Sequence, residues 1–573
     1  MNENQALILA LRDRRYTHSL PRVLPILFGA GFTVAVCLAA GLLLIRALRV
    51  QFDRAEQVLF GFVAGAASVS TVVCGLCAAQ LVGRGILLAV GLALIAAAVR
   101  WRPRSGVIRK SLPKSKCIYF VVLGSLFLLY FFIALAPEVS PDGSGYHLGN
   151  VRRIAEQGGF VWDYHSIYSA FPQGLEMLFL VAYVFGGMPA AAMVHLTFLC
   201  ALAGLLIAYG RRFEWPRAGM FAAVLVFASP VVGLVGSSAY NDVALATCIY
   251  AVFYSCEVKS QEESGRLLIL IGLLAGYCFA IKYTGWIALP FAMWRTKRLL
   301  PSSAAIFGPW ILRNWLWIGN PAAPFLNKWF PNWLYTPDLE ASYLADLRHI
   351  EGFRHWWEVP LDLTLYGAKL PGFLGPVFLL SPIALLALRY EIGRKLLLAS
   401  LIFALPFAFN PGARFLIPGL PFLAFAMAIA MQNSPAVLPL LAVFHGALAL
   451  PRVMPLYCAD FAWRIREVPV RVEVEPYIRR YVPGYPLKEL IEGNVPKQQK
   501  IFSLSTRPEA YIDHRIMVGY ESTEGMAIQR GADPRHYGVQ FLLLDDNDPK
   551  DNWRNLQLTA VDKRNGTTLY RID

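Results

Sequence analysis

The sequence predicts a polytopic α-helical membrane protein that ends in a small α/β domain. Hydrophobic residues fill 56% of the 573 positions and charged residues only 16%, which sets the chain apart from ordinary soluble and from disordered proteins. Apolar runs recur from residue 23 to residue 450, enough for about 13–14 spans, some of them short of the ~20 residues a helix needs to cross. After Pro451 the chain turns polar, and strand-like runs at 500–504, 539–544 and 567–572 alternate with Pro/Gly-rich and helix-compatible stretches.

The net charge of +15 would suggest nucleic acid in a soluble chain. Here the basic residues gather in short segments between apolar runs, so they report orientation, and no nucleic-acid partner is expected. The nine cysteines are scattered, mostly inside apolar runs. Cys74 and Cys77 form a C-x-x-C pair, yet within a helix they read as small packed residues rather than a metal or redox site. The first apolar run, 23–45, is too long for the core of a signal peptide and lacks a small-residue cleavage pattern, so it is expected to remain as a span.

Runs 58–82 and 86–99 follow, then a linker with Arg100, Arg102, Arg104, Arg109, Lys110, Lys114 and Lys116 and no acid. That linker marks the cytoplasmic side. Three preceding spans place the amino terminus outside, against the pull of Arg12, Arg14 and Arg15. The run 118–136 then leads outward. The apolar stretch 175–185 has eleven residues, too few to cross, so 171–186 is expected to be interfacial or half-inserted. On that reading 190–209 returns inward to Arg211, Arg212 and Arg217, and 220–235 brings Asn241 and Asp242 to the side of Asp142. Spans are expected at 243–256, 267–281, 284–294 and 304–318, and after the loop 320–371 at 373–388, 396–409, 415–431 and 436–450. Trp329, Trp333, Trp356 and Trp357 suit an interfacial lid in that loop. The domain expectation is 1–116 for the amino-terminal spans and linker, 117–451 for the core, and 452–573 for an extracytoplasmic α/β domain.

Ionisable groups at membrane depth are costly and tend to face a cavity. Four such places fall on the outer side. The first is Pro137–Asn150, a Gly/Pro-rich loop or broken helix start holding Glu138, Asp142, Tyr146 and His147, from which Asp142 can project into a cleft. The second is Tyr240-Asn241-Asp242, the third Lys282-Tyr283-Thr284, and the fourth combines Arg313, Asn314 and Asn320 with Arg414. Acids beside lysine and arginine suit a departing phosphate and an activated hydroxyl, with Asp142 and Asp242 as the acid/base candidates.

Each residue also has a plainer reading. Asp142 and Asp242 are placed to cap helices, Lys282 to snorkel toward headgroups, and Arg313 to hold lipid phosphate or helix carbonyls. His147 reads as a hydrogen-bonding residue, since no spacing here resembles a closed zinc site.

Asp142-Gly-Ser-Gly-Tyr146-His147-Leu148 resembles the D-x-x-x-Y-H-L signature in the first outer loop of bacterial GT-C glycosyltransferases, integral-membrane enzymes similar to protein mannosyltransferases and lipid A aminoarabinose transferases. Phe171-Pro-Gln-Gly174, Ser238-Ala-Tyr240-Asn241-Asp242, Lys282-Tyr283-Thr284-Gly285, Arg313-Asn314, Gly319-Asn320-Pro321 and Arg414-Phe-Leu-Ile-Pro418 follow in order. The resemblance covers roughly 117–430. It implies a GT-C-like helical bundle in the inner membrane and a polyprenyl-phosphate sugar as donor, with a glycan, lipid or protein as acceptor. It also implies Asp142 as the base for the acceptor hydroxyl, Lys282, Arg313 and Arg414 on the lipid phosphate, and inversion at the sugar. Tyr146, His147, Tyr240, Asn241, Tyr283 and Asn320 are the further substrate-binding candidates. Many relatives carry a second acid near the first aspartate, whereas here Glu138 lies just before it and Asp163 well after. Some GT-C enzymes use a divalent metal and others do not, so a metal is left open and no metal ligand is assigned.

There is no Gly-rich phosphate loop at a strand-to-helix junction, which argues against a soluble nucleotide-sugar fold in the core. A transporter or flippase of a lipid-linked anion is the alternative. It would need polar groups along a path to both faces, whereas these gather on one. A third reading is an assembly protein whose outer domain is the working part.

Overall fold

The structure, a computed structural model, describes residues 20–101, 112–113, 115–161, 166–261, 265–294, 297–348, 352–434, 436–449, 474–482 and 484–573. Arg12, Arg14 and Arg15, the linker residues Arg102, Arg104, Arg109, Lys110 and Lys114, Asp163, Arg295 and Cys458 lie outside the described residues.

Among the described residues four helices are long and apolar enough to cross a membrane, or five if one bent pair counts as a span. They lie in α1 (Leu20–Leu48), α2 (Arg54–Ala78), α4 (Lys116–Leu135) and α7 (Met188–Arg212). The rest of this multi-pass bundle is built mostly from shorter or broken helices, so among the described residues the other expected spans do not stand out by length and composition alone. Helices α1 and α2 touch backbone to backbone. A Cβ on Gly65 would sit 1.6 Å from the Cys37 carbonyl oxygen and one on Gly41 1.7 Å from that of Gly61, so these crossings require glycine. Helix α3 (Arg84–Arg100) packs on α1.

The start of α2 is tied to the core by one buried carboxylate. Glu56 completes a capping box with Asp53 at the start of α2. It also accepts hydrogen bonds from Arg212 Nη1 at 2.9 Å and from the Tyr254 hydroxyl at 2.5 Å. Arg212 ends α7 and Tyr254 lies on α10 (Asp242–Gln261), so two core helices close on it.

Three expected spans depart from a regular α-helix, and one of them breaks at a proline. The run 220–235 is two helices, α8 (Pro216–Phe227) and α9 (Pro230–Gly236), bent by 71°. Pro230 forces the residue before it out of helical geometry, and Ser229 is extended at ψ 122°. The run 373–388 becomes a 3₁₀ helix, Pro376–Arg389, with Pro382 inside it, and 284–294 divides into a 3₁₀ turn, Tyr283–Ile287, and a short helix, Ala288–Met293. The short stretch 171–186 yields α6 (Gly174–Gly186), whose first nine residues are all buried, so it is inserted into the bundle rather than laid on its surface.

The remaining core helices are α5 (Leu148–Gln157), α11 (Arg266–Ile281), α12 (Leu300–Ile318), α14 (Glu391–Ala404), α15 (Leu420–Ala430) and α16 (Val437–Leu448). The loop after α12 carries its own helix, α13 (Pro337–Arg348), and keeps Trp329, Trp333, Trp356 and Trp357 exposed. Leu334, Tyr335 and Leu339 from this loop pack with Met526 of the terminal domain.

The terminal domain is a five-stranded sheet of order β2-β1-β3-β5-β4, with β1 Lys500–Ser503, β2 Ile516–Val518, β3 Val539–Asp545, β4 Leu558–Arg564 and β5 Thr567–Ile572. Strands β2, β1 and β3 are parallel, while β5 and β4 form an antiparallel edge. Its docking is specific: Ala510 N donates to Ser144 O at 3.0 Å, the Tyr511 hydroxyl to Glu138 O at 2.7 Å and Ile167 N to Glu521 O at 2.9 Å.

Candidate active site

Helix α4 ends at Leu135, and Pro137 and Pro141 with three nearby glycines prevent a simple continuation. The chain runs extended, then winds into one π-helical turn, Gly143–His147, before α5 begins at Leu148. Glu138 holds this turn. Its buried carboxylate accepts from Ser140 N at 2.7 Å and from Ala239 N at 2.6 Å, fixing the loop to the segment before Asp242. A Cβ on Gly143 would lie 2.9 Å from the Glu138 carboxyl carbon, so the residue after Asp142 must be small. Glu138 is thereby a positioning group. Glu138→Ala is expected to release two buried N–H donors, at about 1–3 kcal/mol each, and to speed deuterium uptake at 138–144 and 237–241 together.

Asp142 Oδ2 lies 2.5 Å from Arg414 Nη1, across 272 residues of sequence, and the Tyr146 hydroxyl donates to the same oxygen at 3.4 Å. The pair is half-open, 25% and 28% exposed. Burial pushes the Asp142 carboxyl up, but the Arg414 guanidinium, with His147 and Lys282 beyond it, holds it below the usual carboxylate range. Arg414 also stands over the rings of Tyr240 and Phe415, at 5.4 and 5.1 Å. Beside it Lys282 Nζ donates to Asp242 Oδ1 at 2.6 Å, with Asp242 3% and Lys282 20% exposed, so the lysine is not snorkelling to the surface.

His147 Nδ1 meets Glu176 Oε1 at 2.5 Å, both side chains buried. His147 Nε2, Glu176 Oε2, Asn241 Oδ1 and Asp242 Oδ2 have no hydrogen-bond partner in the protein, a concentration of unsatisfied buried atoms around one centre. Among the described residues no group of three or more His, Cys, Asp or Glu side chains is arranged to hold a metal ion.

Asp142, Tyr146, His147, Tyr240, Asp242, Lys282 and Arg414 are thus brought together, with Asn241 held between Asp242 and the Ile281 carbonyl at 3.3 Å. Arg313 and Asn320 stand apart. Arg313 Nη2 donates to Ala170 O and Phe171 O, both at 3.0 Å, and its guanidinium lies against Trp310 at 4.9 Å. Asn320 Nδ2 braces the loop through Phe325 O at 2.8 Å. The Tyr283 hydroxyl is spent on Ala323 O at 2.7 Å.

No family model and no curated protein matches this sequence. Solved structures do. ArnT from Cupriavidus metallidurans in the apo state superposes with a TM-score of 0.52 at 15% identity, covering 80% of this chain and 98% of that one. The same protein bound to undecaprenyl phosphate gives 0.51 at 14%, with the same coverage. The chain has an ArnT-like fold.

Around the centre of this ArnT-like bundle, the core and the docked terminal domain bring residues that the sequence did not single out. Tyr168 stacks on Tyr146, rings 4.1 Å apart and 5° from parallel, and Tyr343 of α13 and Tyr520 pack in the same cluster. Glu521 is buried at the docking surface and takes a 2.5 Å hydrogen bond from Ser166 Oγ. Burial and the negative charge of Glu509 raise its carboxyl from 4.5 to about 8, against the pull of Ser166 and Arg153. Docked, Glu521 keeps its proton up to about pH 8, and released it ionises above about 4.5. Docking is therefore tightest at low pH and loosens as pH climbs through that interval. Protection of the amides at 519–523, taken relative to their intrinsic exchange rate at each pH, is expected to fall as pH rises across this window, and Glu521→Gln to flatten the fall.

Proposed function

We propose that this protein is an integral-membrane glycosyltransferase of GT-C type, moving a sugar from a polyprenyl-phosphate donor to an acceptor hydroxyl at the extracytoplasmic face of the inner membrane. The reading rests on one observation above all: Asp142 and Asp242 meet Arg414 and Lys282 at a single half-open centre, although these residues come from four separate parts of the chain. The undecaprenyl phosphate bound to ArnT in one of the similar structures supports a lipid-phosphate donor here. On this reading the terminal domain is extracytoplasmic, and the division at about residues 116 and 451 separates amino-terminal spans, catalytic core and outer domain.

In the reaction the acceptor oxygen attacks the anomeric carbon as the carbon–oxygen bond to phosphate breaks, and the bond's electron pair leaves on the phosphate. Asp142 takes the hydroxyl proton. Arg414 and Lys282 neutralise the departing phosphate, which is the main electrostatic contribution. A single displacement inverts the anomeric centre. Asp242 orients Lys282, and the His147–Glu176 pair fixes the ring beside Tyr146.

Incubating the purified protein with a panel of polyprenyl-phosphate sugars, wild type beside Asp142→Asn, tests this directly. Donor consumption by the wild type that the variant lacks is the expected result. Equal consumption by both would remove Asp142 from the chemistry.

A further inference from the structure

In the terminal sheet the parallel strands run β2-β1-β3, so the strand order reverses at β1. Open α/β sheets hold ligands at the carboxyl ends of their strands beside such a reversal. Here that edge is turned toward the bundle. Leu504, just past β1, and Pro549, beyond β3, border a cleft of about 520 Å³ that α13 closes from the other side. Its polar and aromatic wall is Ser342, Asp346, Tyr520, Gln529, Arg530 and Asn552.

Tyr520 connects this cleft to the reaction centre. Its side chain meets Tyr168, Tyr168 stacks on Tyr146, and the Tyr146 hydroxyl reaches Asp142. All three rings are partly exposed, and Tyr520 is the one of them that lines the cleft.

The chemistry of the wall selects among ligands. An anion site at this edge would need a glycine turn with free N–H groups after β1. The chain instead reads Leu504-Ser505-Thr506-Arg507-Pro508, and Arg507 Nη2 is committed to both oxygens of Asp545, at 3.1 and 3.2 Å. Arg530 faces Asp338 at 3.8 Å. What remains is a tyrosine face with amide, hydroxyl and carboxylate groups that both donate and accept, which suits a neutral polyhydroxyl ligand.

We propose that this cleft binds the acceptor as a carbohydrate, its reactive hydroxyl led past Tyr520 and Tyr168 to Asp142, an assignment that rests on the glycosyl-transfer reading. The full-length protein in lipid nanodiscs is given a polyprenyl-phosphate sugar and a panel of free envelope-type oligosaccharides as acceptors. Tyr520→Ala is compared with Ser342→Trp, which fills the cleft from an exposed position on α13 and so tests it without disturbing the core. In both variants the acceptor KM is expected to rise at least about tenfold, with kcat at saturating acceptor within about threefold of wild type and the donor KM unmoved. An unchanged acceptor KM in both, or a matching loss in donor and acceptor terms, overturns the cleft while the transferase reading stands. A wild type that consumes no donor overturns that reading instead, and oligosaccharide binding then decides the cleft. Slower deuterium uptake at 519–530 in wild type but not in Ser342→Trp supports a carbohydrate site, and no slowing with any oligosaccharide overturns it.

Discussion

Asp142→Asn is expected to lower sugar transfer by about 10²–10⁴-fold, the range that a positioned general base contributes. The substitution is nearly isosteric at a half-open position, and the loop around it is held by Glu138 rather than by Asp142, so folding should persist. The informative companion measurement is affinity for undecaprenyl phosphate. In the resting site Arg414 is engaged with Asp142 at 2.5 Å, and a phosphate must compete for that guanidinium. Neutralising Asp142 removes the competitor, so phosphate binding should hold or tighten while turnover collapses. Loss of both together would mean that Asp142 acts by shaping the pocket and not by accepting a proton.

The clustering of the candidate site was legible in the sequence because its residues break the rule of their surroundings. A carboxylate or lysine at the end of an apolar run is conspicuous, and Asp142, Asp242 and Lys282 each stand at such an end. Glu176 was not legible for the converse reason. It lies two residues beyond Phe171-Pro-Gln-Gly174, inside an apolar stretch too short to place, and only the insertion of α6 shows that it faces His147. Arg313 looked equivalent to Arg414 from its position near a helix end, and only the carbonyls of Ala170 and Phe171 separate the two. The chain break at Pro230 and the 3₁₀ winding around Pro382 were visible as prolines, but hydropathy averages over them. In the terminal domain, β1, β3 and β5 carry enough buried apolar residues to be read. Strand β2 is three residues long, and β4 is an exposed edge with almost no buried positions, so neither shows a period of two. Tyr520 reaches the centre only through tertiary docking, from more than 370 positions beyond Asp142.

Arg414→Met is expected to cut kcat/KM by at least about 100-fold, the scale of removing one donor aimed at developing charge, and the loss should include weaker binding of undecaprenyl phosphate. Arg414→Lys should fall between, because it restores the charge without the two-pronged guanidinium. The variant also separates two roles of this residue through pH. Arg414 holds the Asp142 carboxyl below its ordinary value in the free protein, so on the proposed mechanism the acidic limb of kcat/KM lies below the usual carboxylate range. Without the guanidinium, burial acts unopposed by its largest counterweight and the carboxyl moves up. The residual activity of Arg414→Met should therefore rise with pH across a range where the wild type is flat. On the proposed mechanism, a lipid phosphate that draws Arg414 toward itself would by the same release make Asp142 a stronger base as the donor arrives, which would couple donor binding to base activation through one side chain. A profile for Arg414→Met that parallels wild type at a lower level would break that coupling and leave Arg414 as a phosphate clamp alone.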